Sequence, residues 1–549
     1  MYSIIRSTYT RLLLASVLIV GVATLAACTD VTVDPRSEAA SEVVFAEDET
    51  YESFLAKLYA GLNVTGQSGP AGDGDIGGID EGFSQYMRLY WSLQVLSTDE
   101  AIIAWQDDGI DELNDHNWDE NNQFARAMYD RVFFQVAQAN EFLRQSTDDV
   151  LDERNVGVQV QEQIPQFRAE ARFLRALSYW HGIDLFGDIP LVTEDQVRGG
   201  DAPEQSTREE VFDFVEQELL EIVGELEGED SEEVLLDIGE AEYGRADRGA
   251  AYMLLANLYQ NADVYIGEDR SSDVVEFTSR IIESGAYSLE DNYHDLFLAD
   301  NEFSDEFIFA IPHDGNNTQH FGGTTYIGNA SLGGEAGDFG LTGWFGLRTT
   351  STTVDRYEAD DNRPRFPNTP GDQFLQQNAA GDERTKEITD ITDFAGGGGY
   401  VVPKYQNITS AGEPGSDSEH SDVDYPKFRL ADAYLMYAEA VERGGGGDPG
   451  QAVSLINELR DRAFDGDAGT ISEGDLDLDF ILEERSRELL WEGQRRVDLI
   501  RFDQFTENGI WAWKGGEPEG RETDAFRDIY PIPATELRAN PNLEQNPGY

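Results

Sequence analysis

The chain has 549 residues, enough for one large or two ordinary domains, and its 40% hydrophobic and 11% aromatic content marks a globular protein. Its 108 acidic residues outweigh 39 basic ones, of which five are lysine, for a formal charge of −69 spread along the whole sequence. Such a field repels phosphates and argues against nucleic acid as a partner; it reads as adaptation to a salty medium, where screening makes the repulsion tolerable.

The first element sets the compartment. Arg6 and Arg11 precede a nearly unbroken apolar run from Leu12 to Ala27, too short to span a bilayer comfortably and closed by Leu25-Ala26-Ala27-Cys28. This pattern looks like a bacterial lipobox: residues 1–27 are expected to be a lipoprotein signal peptide, cut before Cys28, whose thiol and amine are then acylated. Cys28 is the sole cysteine, so neither an internal disulfide nor a multi-cysteine metal site is available. Nothing later reaches the length of a transmembrane helix, which leaves the lipid as the expected membrane anchor. Residues 28–41 are polar and read as a tether.

Residues 63–82 are rich in glycine and aspartate. Gly72-Asp73-Gly74-Asp75-Ile76-Gly77 matches a dinucleotide fingerprint by letter, yet no strand-like run precedes it and two aspartates would repel a pyrophosphate. Asp73, Asp75, Asp80 and Glu81 offer hard oxygens for a structural calcium, but the EF-hand register fails because Ser84 stands where the twelfth-position glutamate belongs. No cofactor is expected. The next segment, Trp105-Gln106-Asp107-Asp108-Gly109 through Asn114-Asp115-His116-Asn117-Trp118, mixes aromatic with amide and carboxylate side chains.

Helices then come in pairs. Asn122–Arg144 pairs with Gln166–Phe186, and Ala246–Ala262 with Val274–Ser284. Leu430, Ala433, Tyr434, Tyr437, Ala438 and Val441 form one apolar stripe at helical spacing. Gly444 to Gly450 breaks the chain, and Ala452, Leu455, Ile456, Leu459 and Ala463 form a second stripe. The expected class is mainly α, a tetratricopeptide-like superhelix of helical hairpins with long irregular insertions and a few short strands. Strands are expected around Glu306–Ile311 and Gly399–Tyr405. Residues 313–425 show little helical period; a loop region that long is usually functional. Within it, Tyr326 to Arg348 contains Asn329, Asp338, Trp344 and Phe345.

Glu484, Glu488 and Glu492 are spaced to share one helical face and raise the possibility of glycoside hydrolysis. Hydrolytic carboxylates face each other across a cleft, however, and Arg485, Arg487, Arg495 and Arg496 lie nearby, so ion pairs are the simpler reading. The six histidines show no zinc spacing, GxSxG is absent, and there is no phosphate loop. No enzymatic activity is expected.

Several motifs, in this order, carry a resemblance: Arg168-Ala-Glu-Ala-Arg172; Leu185-Phe186-Gly187-Asp188-Ile189-Pro190; Gly244-Arg245-Ala246; Arg429-Leu430-Ala431-Asp432-Ala433-Tyr434; Glu484-Arg485-Ser486-Arg487-Glu488-Leu489; Glu492-Gly493-Gln494-Arg495-Arg496; Tyr530-Pro531-Ile532-Pro533; and Asn546-Pro547-Gly548-Tyr549. Together they resemble the SusD/RagB family of nutrient-uptake outer-membrane lipoproteins. The resemblance spans nearly all of the mature chain, with an amino-terminal helical region 42–300 and a carboxyl-terminal region 301–549. It implies lipid anchoring in the cell outer membrane, facing the exterior. It also implies a SusC-like TonB-dependent barrel as partner and an oligo- or polysaccharide as cargo. Aromatic faces stack on sugar rings while planar polar groups choose the hydroxyl pattern. The expected contacts are therefore Trp105, Gln106, Asp108, Asn114, Trp118, Tyr326, Trp344, Phe345 and Arg348, although each aromatic could equally pack within a loop core. The alternatives are a peptide cargo, as for relatives of RagB, a lipid-anchored glycoside hydrolase, and a purely structural helical adaptor. Capture followed by release calls for modest affinity, roughly micromolar to millimolar.

Overall fold

Helix 164–186 shows how the scaffold is made. Pro165 starts it where its missing N–H costs nothing, and Gly187, at a φ of 71°, ends it. Nearly every residue between is buried, because helix Gln123–Gln145 packs on one side and Arg208–Ile222 on another. The computed structural model describes residues 45, 47–66, 69–70, 72, 74–196, 199–226, 231–366, 387–392 and 398–549. Cys28, the tether and Asp73 lie outside them. Among the described residues there are eighteen α-helices, and the strands are short.

Each expected hairpin is present. Arg248–Gln260 packs on Ser271–Ser284, which in turn packs on Leu430–Glu442. Leu430–Glu442 also contacts Pro449–Ala463 and Leu478–Glu488. Small residues such as Ala250, Ala251 and Ala256, all fully buried, let the axes approach. Polar caps set the ends: the Asn122 side-chain Oδ1 accepts from the N–H groups of Phe124 and Ala125, and Thr207 with Glu210 forms a capping box. Arginines of the 164–186 helix weld it to its neighbour, with Arg172 2.7 Å and Arg175 2.5 Å from Glu218. Residues Tyr51–Tyr549 cluster as one compact unit. Among the described residues no helix is long and apolar enough to cross a membrane.

The expected strand near 306–311 is Phe307–Ile311, antiparallel to Tyr425–Arg429. The second expectation needs correcting: 399–405 forms no regular strand, only isolated bridges at Tyr400, which pairs with Thr349, and Val401. Residues 313–425 are also less irregular than their composition implies. They contain a fully buried helix, Gly323–Ser331, and a short strand, Leu347–Arg348, which pairs with Ile102–Ile103. Glycine, threonine and asparagine disguise that helix, since its stability comes from burial rather than propensity. Finally, Glu492 does not continue the helix of Glu484 and Glu488. That helix ends at Glu488, and Trp491 and Gly493 take φ values of 62° and 76°, which turn the chain away.

Candidate functional site

The site is assembled around Gln85. Its amide donates to the Leu62 and Asn63 carbonyls at 2.9 and 2.8 Å, and its oxygen accepts from Arg88 N–H and Gly323 N–H. One side chain thus fixes the end of helix Glu49–Asn63 and the starts of Tyr86–Val95 and Gly323–Ser331. Helix 86–95 supplies Arg88. Its Nη1 donates to the Gly82 and Phe321 carbonyls at 2.7 and 2.6 Å, and its guanidinium carbon lies 4.4 Å from the Phe83 ring, 4.3 Å from Tyr326 and 5.8 Å from Trp105. No carboxylate lies within ion-pair distance of Arg88 among the described residues. Burial therefore lowers its pKa to about 10, offset in part by Tyr326, Asp107 and Asp80.

In front of this cation stands a group of half-buried rings. Trp105 and Trp344 lie 6.4 Å apart at 38°, Trp105 and Tyr326 6.1 Å apart at 52°, and Phe321 and Trp344 5.9 Å apart at 65°. Tyr326 forms the floor, 1% exposed, and stands edge-on to the core residue Trp91. The tilts make a curved surface rather than a flat one. The indole N–H groups of Trp105 and Trp344 bond to nothing among the described residues, whereas the core tryptophans Trp91 and Trp491 donate to carbonyls at 2.8 and 3.1 Å. Half-exposed rings with unused donors are equipped for a ligand that offers both apolar faces and hydroxyls.

The rings are held rigidly. The N–H groups of Trp344, Phe345 and Gly346 donate to the carbonyls of Asn329, Leu332 and Ala330 at 2.7–2.8 Å. The buried Asn329 side chain accepts from Thr342 and Gly343 N–H and donates to the Thr325 and Glu419 carbonyls. Ala104 N–H donates to Gly346 O, which joins the two loops. A Cβ at residue 346 would lie 2.3 Å from the Trp105 ring, so glycine alone permits this approach.

Of the residues singled out from sequence, Trp105, Tyr326 and Trp344 converge here. Gln106 and Asp108 are exposed beside Trp105. Three others serve packing. Asn114 is 3% exposed, accepts from Ile103 N–H and donates to the Ala101 carbonyl, bracing the Trp105 loop from within. Trp118 is 1% exposed; its N–H donates to the Tyr549 hydroxyl at 2.6 Å and its ring stacks 4.7 Å from Tyr530. Arg348 is fully buried, donates to the Ser331 carbonyl and lies 4.3 Å over Phe345. Phe83, Arg88 and Phe321 were missed. Arg88 is hidden in a wholly buried helix, and only its failure to find an acid in so acidic a chain marks it.

Glu484 and Glu488 are spoken for. Glu484 pairs with Arg363, Arg460 and Arg487 at 2.7–2.9 Å, and Glu488 with Arg363, Arg429 and Arg462 at 2.6–3.1 Å. Glu492 pairs with Lys404 and Arg429, both at 2.7 Å. The arginines outweigh the desolvation that opposes them, holding Glu484 far below the carboxylate range and Glu488 near 2. Such carboxylates can neither donate a proton near neutrality nor reach a substrate. His181 is a packing residue bonded to the Tyr86 hydroxyl at 2.9 Å. Among the described residues no three acidic or histidine side chains converge on a metal position, and Asp75 faces Arg131 at 3.8 Å.

Clefts lie elsewhere: one of about 780 Å³ beside Asn140 and Arg144, another of about 410 Å³ between Ala60, Val64 and Phe134. At the aromatic site Trp105, Trp344 and Phe321 keep part of their surface exposed.

Comparison with known proteins follows the same line. The profile of the SusD family matches residues 394–549. Over 543 residues the chain is 34% identical to the starch-binding protein SusD of Bacteroides thetaiotaomicron, covering 91% of this chain and 92% of that one. It is 26% identical over 462 residues to SusD-like protein P2 of Formosa agariphila, covering 80% and 83% of the two chains. Among solved structures, a SusD superfamily protein from Parabacteroides distasonis superposes with a TM-score of 0.68 at 19% identity, covering 93% of this chain and 100% of that one. Surface glycan-binding protein A from B. thetaiotaomicron, in complex with laminarihexaose, does so with a TM-score of 0.65 at 20% identity, covering 91% and 99%.

Proposed function

The chain belongs to the SusD family, and from that premise we propose that it binds a glycan at the cell surface, without transforming it, for import by a membrane transporter. One observation carries the reading. Trp105, Trp344 and Phe321 converge, half-exposed and rigidly held, around an arginine that has no acid partner. Rings stack on the C–H faces of sugars, while the indole N–H groups and the guanidinium edge donate to hydroxyls. Because the rings are fixed beforehand, little ordering cost falls on binding.

The cargo we assign is a starch-like α-glucan. Its support is the 34%-identical relative that is named for starch binding, together with the tilt of the rings. A coiled glucan presents successive rings at an angle, whereas a flat ribbon polymer would call for coplanar platforms. The laminarihexaose complex, at 20% identity, bears on the fold alone. Acylation at Cys28, residence in the outer membrane and a SusC-like TonB-dependent barrel complete the proposal. They rest on the lipobox pattern and the family. The fully buried, ion-paired state of Glu484 and Glu488 weighs against a hydrolase.

Calorimetric titration with malto-oligosaccharides, laminari-oligosaccharides and a mixed peptide pool tests the assignment. Micromolar to millimolar binding of the malto-series, without release of reducing ends, is expected. Binding confined to peptides would retain the family role and refute the cargo. Steady release of reducing ends would refute the non-catalytic role.

A further inference from the structure

The platform does not stop at Trp344. The next residue, Phe345, packs against Ile102 and Ile388, as do Ala104 and Trp513. Trp513 is half-buried, comes from a distant part of the chain, and reaches the same small apolar cluster, which includes Ile102 of the strand that precedes Trp105. Both aromatics hold an unusual backbone: φ is 55° at Phe345 and 71° at Trp513, in the left-handed region that bulky side chains avoid. Such conformations persist only where the surroundings impose them, and they gather at ligand-binding sites.

The surroundings of Trp513 do impose it. Lys514 is fully buried, with its ammonium donating to the Thr506 carbonyl at 2.6 Å and lying 4.3 Å over Trp511. Gly516 N–H donates to Trp513 O at 3.0 Å, and Arg521 N–H to Lys514 O at 3.1 Å. The contrast with Trp491 is informative. That residue also has a positive φ, of 62°, but is fully buried and donates its N–H to Glu100 O. Trp513 keeps its indole N–H unbonded among the described residues, as Trp105 and Trp344 do. A half-exposed ring with an unused donor, packed on the same apolar pair as Phe345 and Ala104, the chain neighbours of Trp344 and Trp105, has the properties of a sugar-stacking surface.

We propose that Trp513, with Phe345, forms a second glycan subsite that continues the Trp105–Trp344 platform, so that the protein favours chains long enough to span both. Its ligand is a neutral hexose of the same polymer. Asp107 and Asp108 follow Trp105, Asp390 precedes Ile391, and Asp115 lies beside Gly516, a setting that disfavours uronates or sulfated sugars. Joining two weak stacking sites through one ligand raises affinity for long chains without tightening the grip on any single residue.

This rests on the platform reading, and the test separates the two. Affinities of the wild type, Trp513→Asn, Trp513→Phe and Trp344→Ala would be measured calorimetrically against maltotriose and against a malto-oligosaccharide two to three times longer. Asparagine tolerates the left-handed backbone while removing the ring, and thermal melting checks that each variant is folded. Trp513→Asn should weaken the long ligand by about fivefold or more and change maltotriose by less than about twofold, whereas Trp513→Phe should retain most of the wild-type preference. Equal affinity for the long ligand in wild type and Trp513→Asn overturns the subsite, as does an equal loss on both ligands. If Trp344→Ala binds both ligands as the wild type does, the platform reading fails, and the subsite falls with it.

Discussion

Two regions of this molecule treat charge in opposite ways. Around Arg429 the interior is crowded with ions: its guanidinium meets Glu306, Glu488 and Glu492 at 2.7–2.8 Å, and Arg462 closes the circle through Glu306 and Glu488. Arg429, Glu306, Glu488 and Glu492 are buried, the Arg462 side chain is 5% exposed, and each is answered by a partner. At the aromatic platform Arg88 is a buried charge with no acid within ion-pair distance among the described residues. The difference identifies which region is finished and which is open. A saturated network fixes how the carboxyl-terminal helices meet and has nothing left to offer a ligand. The platform keeps its donors and ring faces available, and that availability is what binding requires.

The comparison breaks most visibly if the network is cut. Arg429→Met would take one cationic partner from each of three buried carboxylates, leaving Arg462 to Glu306, Arg363 and Arg462 to Glu488 and Lys404 to Glu492, a loss of about 3–5 kcal/mol that denaturant unfolding would read. Glucan affinity per folded molecule should not change. Acid attacks the same network more gradually. Glu488 is held near 2 by its arginines and Glu439 near 2 by Arg501, against about 4.3 for a free glutamate. Depressed carboxylates stabilise the fold above the unfolded value, and that stability is lost as pH falls from about 4 toward 2. Glu100 and Asp424 act in the other direction. Burial raises both to about 7, so the fold retains their protons longer than the unfolded chain does, and stability declines as pH rises from about 4 to 7. A melting-temperature maximum near pH 5 is the expected balance.

The platform sharpens the contrast from its own side. Trp344→Ala should cost at least about tenfold in glucan affinity, or about 1.4 kcal/mol, while leaving the melting temperature within a few degrees of wild type. Binding should be flat from about pH 5 to 9, because Arg88 titrates only near 10 and no other platform group gates the contact. A bell-shaped profile would signal acid–base chemistry instead. The smallest expected effect is none: chelation with EDTA should leave affinity unchanged. A loss would point to a metal held by the acidic residues around Asp75 and Asp80.

The scaffold was legible in the sequence because hairpin helices announce themselves by spacing, as the Leu430–Val441 stripe does. Helix 323–331 was not, since a helix buried on all sides needs no stripe and tolerates glycine and threonine. Trp105, Tyr326 and Trp344 could be picked out by their mixture of aromatic and polar neighbours, but the same signal selected Trp118, whose hydrogen bond is to Tyr549, 431 positions away in sequence. Composition cannot distinguish a ring stacked under the carboxyl terminus from one at the surface. Arg88 was invisible for a related reason: whether an arginine is paired is a property of three-dimensional neighbours. The ion pairs proposed for Glu484 were right in kind, yet two of its three partners, Arg363 and Arg460, lie outside the helix considered.

The most direct test of the central claim removes the rings and leaves the ions. The Trp105→Ala/Trp344→Ala double variant, titrated calorimetrically with a long malto-oligosaccharide while reducing ends are assayed in parallel, should be folded, show no measurable binding, and match a wild type that binds without turnover. Undiminished binding by the double variant, or reducing ends released by the wild type and abolished by Glu484→Gln, would contradict the account.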